Sequence, residues 1–600
     1  MTEPSYLYLG QPCRNFNILA TVVITDPLDG REKLVLSNYA MGETGSLIFI
    51  DTESGDGESI FLPKGPGAWG LVNWRNEKLI VGTCVDQAYL HVLDLGTRQW
   101  SETLEPPGEA YFWGMTMGSD GKVYGGTYPG CSLLQYDPAS HTLHHLGKVS
   151  ANTGNQYSRP VWGEAPGYIL VNYGFDTCGM KAYRIDNGEF IEFGAPGSQI
   201  KWVTSKLVCA ESEDGELFYY DASTLRPLTE AVPAQLIPRL SVTLPNGQSI
   251  PVRQLAGNRL AGVRGQEYFM VDVAEQSEGY EGPFDVVLKP IPVEAPPTAI
   301  FTLQSDGKEL LWGSSGFGQT IFSFNPVGGT FWNSPSVCDA GGEVYGMQFI
   351  RDRLFLSSYV GGDHIVYDPA KFWDQLSNTN PRTLRSVGPE LIRPEGRSVI
   401  GPDGGFWTGW SAKYGVYGGG LSRVDPITLE VNCWLDPVPQ QQVTGVTSDD
   451  EFIYFTTNGG ASGLPPQEVQ GRFGVWAPGT GLVHEEIFPE GQEAGNAIVA
   501  LGGKIACGVG AQIWIFDRES RSFIHTASVE NSCQWLIAID QRTAGAFCGD
   551  QYWEIDVGTG VSRFICTLPG FVRAAVIHIG KLYFAVNADL YVFHSLISKR

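Results

Sequence analysis

The feature that most limits how this chain can fold is a short phrase that recurs along its whole length: an apolar strand, an Asp, a polar turn and another strand. YDPASHTL, with Asp137, is one copy. Others are IFIDTESG (Asp51), HVLDLGTR (Asp94), YRIDNGEF (Asp186), FYYDASTL (Asp221), FMVDVAEQ (Asp272), IVYDPAKF (Asp368), SRVDPITL (Asp425), WIFDRESR (Asp517) and WEIDVGTG (Asp556). Asn325, Ala477 and His594 take the same place in three more. The copies recur every ~45 residues, the length of a four-stranded antiparallel blade, and the two further strands a blade needs precede each of them. Blade three shows all four, YFWGMTM, GKVYGGT, CSLLQYD and TLHHLGKV. An Asp or Asn opening a turn hydrogen-bonds the backbone two residues on, so the recurring acids are turn formers and not an acidic site. The residue before each is apolar, as at Ile50, Tyr136, Phe324, Trp476 and Phe593, and is expected to pack into the next blade.

The fold class is therefore all-β, as tandem β-propellers of four-stranded antiparallel blades, about 13 blades in total. That number exceeds one ordinary ring, and the proline-rich KPIPVEAPPTA at 289–299 is the natural break. The expected domains are an N-terminal propeller of six to seven blades over 1–290 and a C-terminal seven-bladed propeller over 297–600. The last blade stops at its third strand, LYVFHSL. The N-terminal SYLYLG either closes that ring or belongs to a degenerate blade of the first.

Composition narrows the partners. The 75 Gly and 37 Pro, with 12% aromatic and 18% charged residues, suit short strands and turns. A net charge of −25, with no Lys/Arg run against it, repels phosphate backbones and anionic lipid, so neither nucleic acid nor membrane is an expected partner. The expected ligand is a small molecule or an oligosaccharide, and an anionic one needs a local basic pocket. There is no basic segment followed by a long apolar run and no paired cysteine spacing among the 11 Cys, which fits a cytoplasmic location. Histidines and cysteines are scattered and DTESGDGES is only loosely like a calcium loop; no cofactor is expected, with a divalent metal left open.

Aromatic–glycine pairs open several innermost strands, at Trp69-Gly70, Trp113-Gly114, Trp162-Gly163 and Tyr345-Gly346. They read mainly as packing, leaving one or two to form a sugar-stacking platform at a channel mouth. Loops between second and third strands carry a recurring aromatic, at Tyr39, Tyr128, Tyr173, Tyr359 and Trp410. In the first ring Trp113, Tyr128, Tyr157, Arg159 and Tyr173 form a candidate binding set, with Asp86, Glu164 and Asp176 nearby; His141, His144 and His145 lie on an outer strand. In the second ring one position departs from its pattern. His364 stands where the other repeats carry apolar or aromatic residues. It is either a general acid or base at a channel mouth or a buried histidine satisfied by a backbone carbonyl. Other blades of that ring add Arg397, Lys413, Tyr414, Tyr417, Arg472 and Arg573 on what should be the same face, whose charges and phenols could stabilise an anion.

The blades GSDGKVYGGTYPGCSLLQYDPASHTL and GPDGGFWTGWSAKYGVYGGGLSRVDPITLEV resemble the repeats of streptogramin B lyase and gluconolactonase-like propellers, and the propeller polysaccharide lyases. The resemblance implies the fold; the histidine-centred, magnesium-assisted set of the streptogramin lyases has no residue-by-residue match here, and the tandem length departs from that family. The leading expectation is a lyase acting by β-elimination on a carbohydrate-like substrate, uronic acids included, or a related small polar one, at a propeller face or between the rings. His364 or Tyr359 would take the proton, with Arg397, Lys413 or Arg472 on the enolate charge. Trp410, Tyr414, Tyr417, Arg472 and Arg573 would join the first-ring set in binding. One alternative is a non-catalytic propeller binding a protein or glycan. Another is a glycoside hydrolase with paired carboxylates in the inter-propeller cleft.

Overall fold

The computed structural model describes residues 6–85, 87–175, 177–230, 232–233, 236–273, 283–488 and 494–594. It contains thirteen antiparallel sheets in chain order, ten of four strands, one of three and two of five. The protein is an all-β tandem propeller. It divides into two compact units, one of residues 16–294 with six blades, the other of residues 1–15 and 295–600 with seven. The N-terminal boundary expected at residue 1 therefore moves to Phe16. Lys289 and Pro290, at the start of the proline-rich segment, pair with Tyr268 and Glu267 as the outer strand of blade six.

Strands of the inner blades read as continuous apolar runs because both faces are covered. In blade three, Val123, Leu134 and Tyr136 pack with Val72, Ile80, Leu90 and Val92 of blade two. Tyr124 and Leu133, one residue out of phase, pack with Val161, Ile169 and Val171 of blade four. The residue before the turn Asp packs onto the preceding blade and not the next one. Tyr136 meets blade two, Tyr367 meets Trp312 of blade seven, and Phe593 meets Phe547 and Tyr552 of blade twelve. The direction follows from the pleat: the Asp itself leaves the sheet at the turn, so its predecessor takes the face toward the blade already built.

The turn carboxylates cap their own loops. Asp51 Oδ1 accepts from Glu53 and Ser54 N at 2.9 Å each, and Asn325 Oδ1 does the same for Val327 and Gly328. Asp425 accepts from Thr428 N at 3.0 Å and Ile427 N at 2.8 Å, with Arg423 Nη2 3.2 Å from its other oxygen. Those backbone donors, with the guanidinium behind them, hold its pKa at about 2. A carboxyl lowered on folding stabilises the native state above its unfolded pKa and loses that contribution as pH falls through the folded one. Asp425→Asn is accordingly expected to flatten the fall in stability between about pH 4 and pH 2. Urea unfolding across that range measures it, and an unchanged pH slope would refute it.

The two rings close differently. In the first, Gln266 of blade six clasps the backbone of Phe16, its Oε1 accepting from Phe16 N at 2.6 Å and its Nε2 donating to Phe16 O at 2.7 Å. Arg259 adds a 3.2 Å bond to Glu32 of blade one. The second ring borrows a strand. Tyr6–Gly10 pairs antiparallel with Asp589–Phe593 and supplies the outer strand of blade thirteen. The chain then runs on to blade seven, where Asn15 Nδ2 donates to Ser315 Oγ, Phe317 O and Thr320 Oγ1 at 2.9, 2.8 and 3.1 Å.

Candidate functional site

Some of the candidate side chains in both units sit at one backbone device. Near the start of the innermost strands the ladder slips by a residue, between Ala68 and Gly70, Phe112 and Gly114, Ser158 and Val161, Val344 and Gly346, and Val572 and Ala574. A bulged residue leaves the alternation of the sheet and is re-aimed, which is why bulges gather beside functional sites. The residues expelled are Trp69, Trp113, Arg159, Tyr345 and Arg573. After Trp69, Trp113 and Tyr345 a glycine follows, and after Trp69 space requires it: a Cβ on Gly70 would meet Met115 Sδ at 2.5 Å.

In the first unit these residues converge. Trp69 lies 5.6 Å from Trp113, which stacks on Tyr111 at 4.7 Å and 13°. Tyr111 meets Tyr128 edge-on at 5.4 Å, Tyr128 stacks on Tyr157 at 4.9 Å, and Tyr157 meets Phe175 at 5.5 Å. The Arg159 guanidinium lies 3.9 Å over the Trp113 ring and 5.5 Å from that of Tyr157. The result is a belt of six rings across blades two to four, exposed at its two ends through Trp69 and Phe175. Tyr173 stands apart. It lines a neighbouring groove of about 760 Å³ with Cys178, Glu211 and Glu213, because it faces the opposite side of its strand from Gly174, the partner of Tyr157. Glu164 is exposed, and Asp86 and Asp176 lie outside the described residues. Trp162 sits at the far end of its strand and packs between blades four and five.

The second unit gathers a polar cluster around Arg393. Its guanidinium lies 4.1 Å over the Tyr359 ring, donates to Tyr345 Oη at 3.4 Å and Tyr414 Oη at 3.2 Å, and is 3.8 Å from Glu395. The Tyr359 and Tyr414 hydroxyls hydrogen-bond each other. Glu343 is buried, and burial raises its pKa to about 7, with Glu395 adding and Arg393 opposing. Arg397 lies 4.6 Å over Trp535 and 5.4 Å from Phe301. Of this group Tyr359, Tyr414 and Arg397 stand out in sequence; Arg393, Glu343 and Glu395 do not, although RPEGRSVIG contains two of them.

His364 is not at a channel mouth. It is 1% exposed, and burial lowers its pKa to about 3. Nε2 is 2.9 Å from Ser422 Oγ, which also accepts from Trp410 Nε1 at 2.7 Å, so the hydroxyl proton is available to the imidazole and the ring is neutral. Blade nine presents that Trp–Ser pair to blade eight, and histidine is the core-sized ring that can answer it. Its partner is a hydroxyl and not a backbone carbonyl. Trp410, fully buried, is part of the same packing and offers no platform to a ligand. Arg472 pairs with Glu485 at 2.6 Å, Tyr417 donates to Pro465 O at 2.8 Å, Lys413 is exposed, and Arg573 lies 5.8 Å from the Phe571 ring. His364 is therefore not brought together with the expected cations Lys413 and Arg472, while the cation beside Tyr359 is Arg393. Among the described residues no three His, Cys, Asp or Glu side chains converge to hold a metal ion, and no helix is long and apolar enough to cross a membrane.

No family model matches the chain, and no curated protein matches it. Two solved structures of the extracellular domain of BT4673 from B. thetaiotaomicron align with it, one described as a one component system and the other as a hybrid two component system. They cover 99% and 98% of this chain and 83% of each of theirs, at 11% and 10% identity and a TM-score of 0.28. Likeness of that degree carries no functional assignment. Both aligned chains are described as extracellular domains, against the expectation of a cytoplasmic location, and that expectation is withdrawn because unpaired cysteines alone do not set a compartment. What the resemblance to lyase-type propellers retains is its coarser content, a propeller of antiparallel blades.

Proposed function

We propose that the protein is a ligand-binding propeller without catalytic activity, and that its first unit holds a glycan on the belt Trp69–Trp113–Tyr111–Tyr128–Tyr157–Phe175. The belt itself carries this reading. Six rings in contact over three blades, stacked, tilted or in one case edge-on, make a continuous aromatic surface exposed at Trp69 and Phe175, against which the apolar faces of sugar rings can lie. Arg159, stacked on Trp113, places a cation beside that surface and favours a sugar bearing a carboxylate. The sealing of His364 removes one of the two proton acceptors that the lyase reading assigned to the second ring, and the other, Tyr359, is hydrogen-bonded to Tyr414.

Titration calorimetry of the full chain against neutral and uronic-acid oligosaccharides tests this, with absorbance of unsaturated products followed in parallel. Trp113→Ala is expected to weaken binding by about tenfold or more, the behaviour of a central aromatic anchor, with no unsaturated product from either protein. Equal affinity in the variant, or turnover by the wild type, would overturn the proposal.

A further inference from the structure

A second cavity lies in the seven-bladed unit. It encloses about 210 Å³ among the innermost strands and is lined by Thr302, Gln304, Tyr345, Val499 and Trp535, with Arg397 as its one charged lining residue among those described. Arg397 enters from the loop joining Leu391–Arg393 to Ser398–Ile400, in the left-handed region at φ 58°, opposite Gly409. Its Nη1 donates to Phe301 O at 3.2 Å. Among the described residues its side chain makes no other hydrogen bond and no ion pair, and its Nε is buried without a partner. The hydroxyl of Ser398, next in the chain and also lining the cavity, is likewise without a partner.

Arg397 is half-buried with its Nε sealed, and the hydration lost there is costly unless an acceptor replaces it. Here the protein supplies one carbonyl and two aromatic faces, Trp535 and Phe301. Glu395, which offsets Arg397 in part, is engaged by Arg393, and Arg573 opposes it as a like charge. In a chain of net charge −25 this is a local positive site with donors to spare. The rest of the lining is mostly aliphatic and aromatic, with side-chain amides and hydroxyls between, the usual make-up of a small-molecule pocket.

We infer that this cavity binds a small organic monocarboxylate, its carboxylate on the free N–H groups of Arg397 and its apolar body against Trp535 and Val499. A phosphate would need more donors than one arginine and one serine provide, whereas a carboxylate is matched by a guanidinium edge. The site lies in the other unit from the aromatic belt and does not depend on it.

The test is calorimetry of the full chain with propionate and benzoate as probes, benzamide as the neutral counterpart of benzoate, and Trp535 fluorescence as a second readout. At least one carboxylate is expected to bind saturably with a change in indole emission, benzamide to bind about tenfold more weakly or not at all, and Arg397→Gln to lose about tenfold or more in affinity. Trp113→Ala should leave carboxylate binding unchanged, which separates this result from the glycan reading. Should Arg397→Gln fail to fold, the benzoate–benzamide difference in the wild type decides. Equal binding of the two, binding that survives in a folded Arg397→Gln, or no binding of either carboxylate would overturn the inference.

Discussion

Deletion of residues 1–10 is expected to destabilise the 295–600 unit by on the order of 5 kcal/mol, and to do so from its last blade outward. The strand removed is short, but it is the outer strand of blade thirteen, paired from Tyr6 with Phe593 to Gly10 with Leu590. Tyr6 stands edge-on to Phe584 and Tyr591 at 5.6 Å each, and each such pair contributes about 0.5–1.5 kcal/mol beyond its buried area. The ladder bonds contribute about 1 kcal/mol net each. Losing the strand also opens the backbone edge of Asp589–Phe593, flanked by aromatic side chains, and an open apolar edge is a template for association. Hydrogen exchange read by mass spectrometry gives a local answer: amides of Lys581–Val586 and Asp589–Phe593 should lose protection while those of Lys78–Thr83 in the other unit keep theirs. Undiminished protection at 581–593 would show that the closure is dispensable.

Asp26→Ala is expected to cost the 16–294 unit about 3–5 kcal/mol, the usual penalty for removing one partner of a buried ion cluster. Asp26 is fully buried and sits 2.6 Å from Lys33 Nζ of blade one and 2.5 Å from Arg98 Nη2 of blade two, with Leu28 N donating at 3.1 Å. Arg98 also bonds Glu58 at 2.7 Å and lies 4.6 Å from the Phe49 ring, so one guanidinium ties the turn of blade two to two strands of blade one. Burial pushes the Asp26 pKa up, but the hydrogen bonds from Arg98 and Lys33 outweigh it and the net direction is down. The contribution of this carboxylate is therefore present above its unfolded pKa and lost as pH falls through the folded value. Alanine leaves two largely buried cations facing each other, with only the more exposed Glu58 and Asp29 to offset them. Asp26→Asn keeps the shape and should cost less at neutral pH. Urea unfolding of the three proteins measures both differences, and a loss under about 1 kcal/mol for alanine would place this cluster with weak surface pairs.

How much of the site can be read from the sequence differs residue by residue. Aligning loops picks out Trp113, Tyr128, Tyr157 and Arg159, and the structure brings these four together, because each occupies the same level of its blade and the repeat conveys that level. Tyr173 occupies the same loop but faces the other way, since a one-residue offset along a strand reverses a side chain. Trp69 and Tyr345 look like packing residues until the bulges beside them are seen; the glycine that follows each is the local trace of a bulge, but it has other causes too. His364 is conspicuous as a break in a pattern. Its reason lies about 50 residues away, in the Trp410–Ser422 pair of the next blade, and no local signal connects them. Glu343 and Arg393 carry no mark in the sequence at all, for their character comes from burial beside each other.

The sequence by itself determined the class of fold and the number of blades, because period, strand alternation and turn chemistry are local properties that every repeat states again. Only the tertiary structure decided what closes each ring, which polar residues meet and which are sealed. Tyr6 finds Phe593 across nearly the whole chain, and Arg397 is left without an ion-pair partner in a cavity of mixed lining, through contacts that no residue's neighbours in sequence encode. Burial and long-range pairing are properties of the assembled rings, and they set the chemistry of the side chains within them.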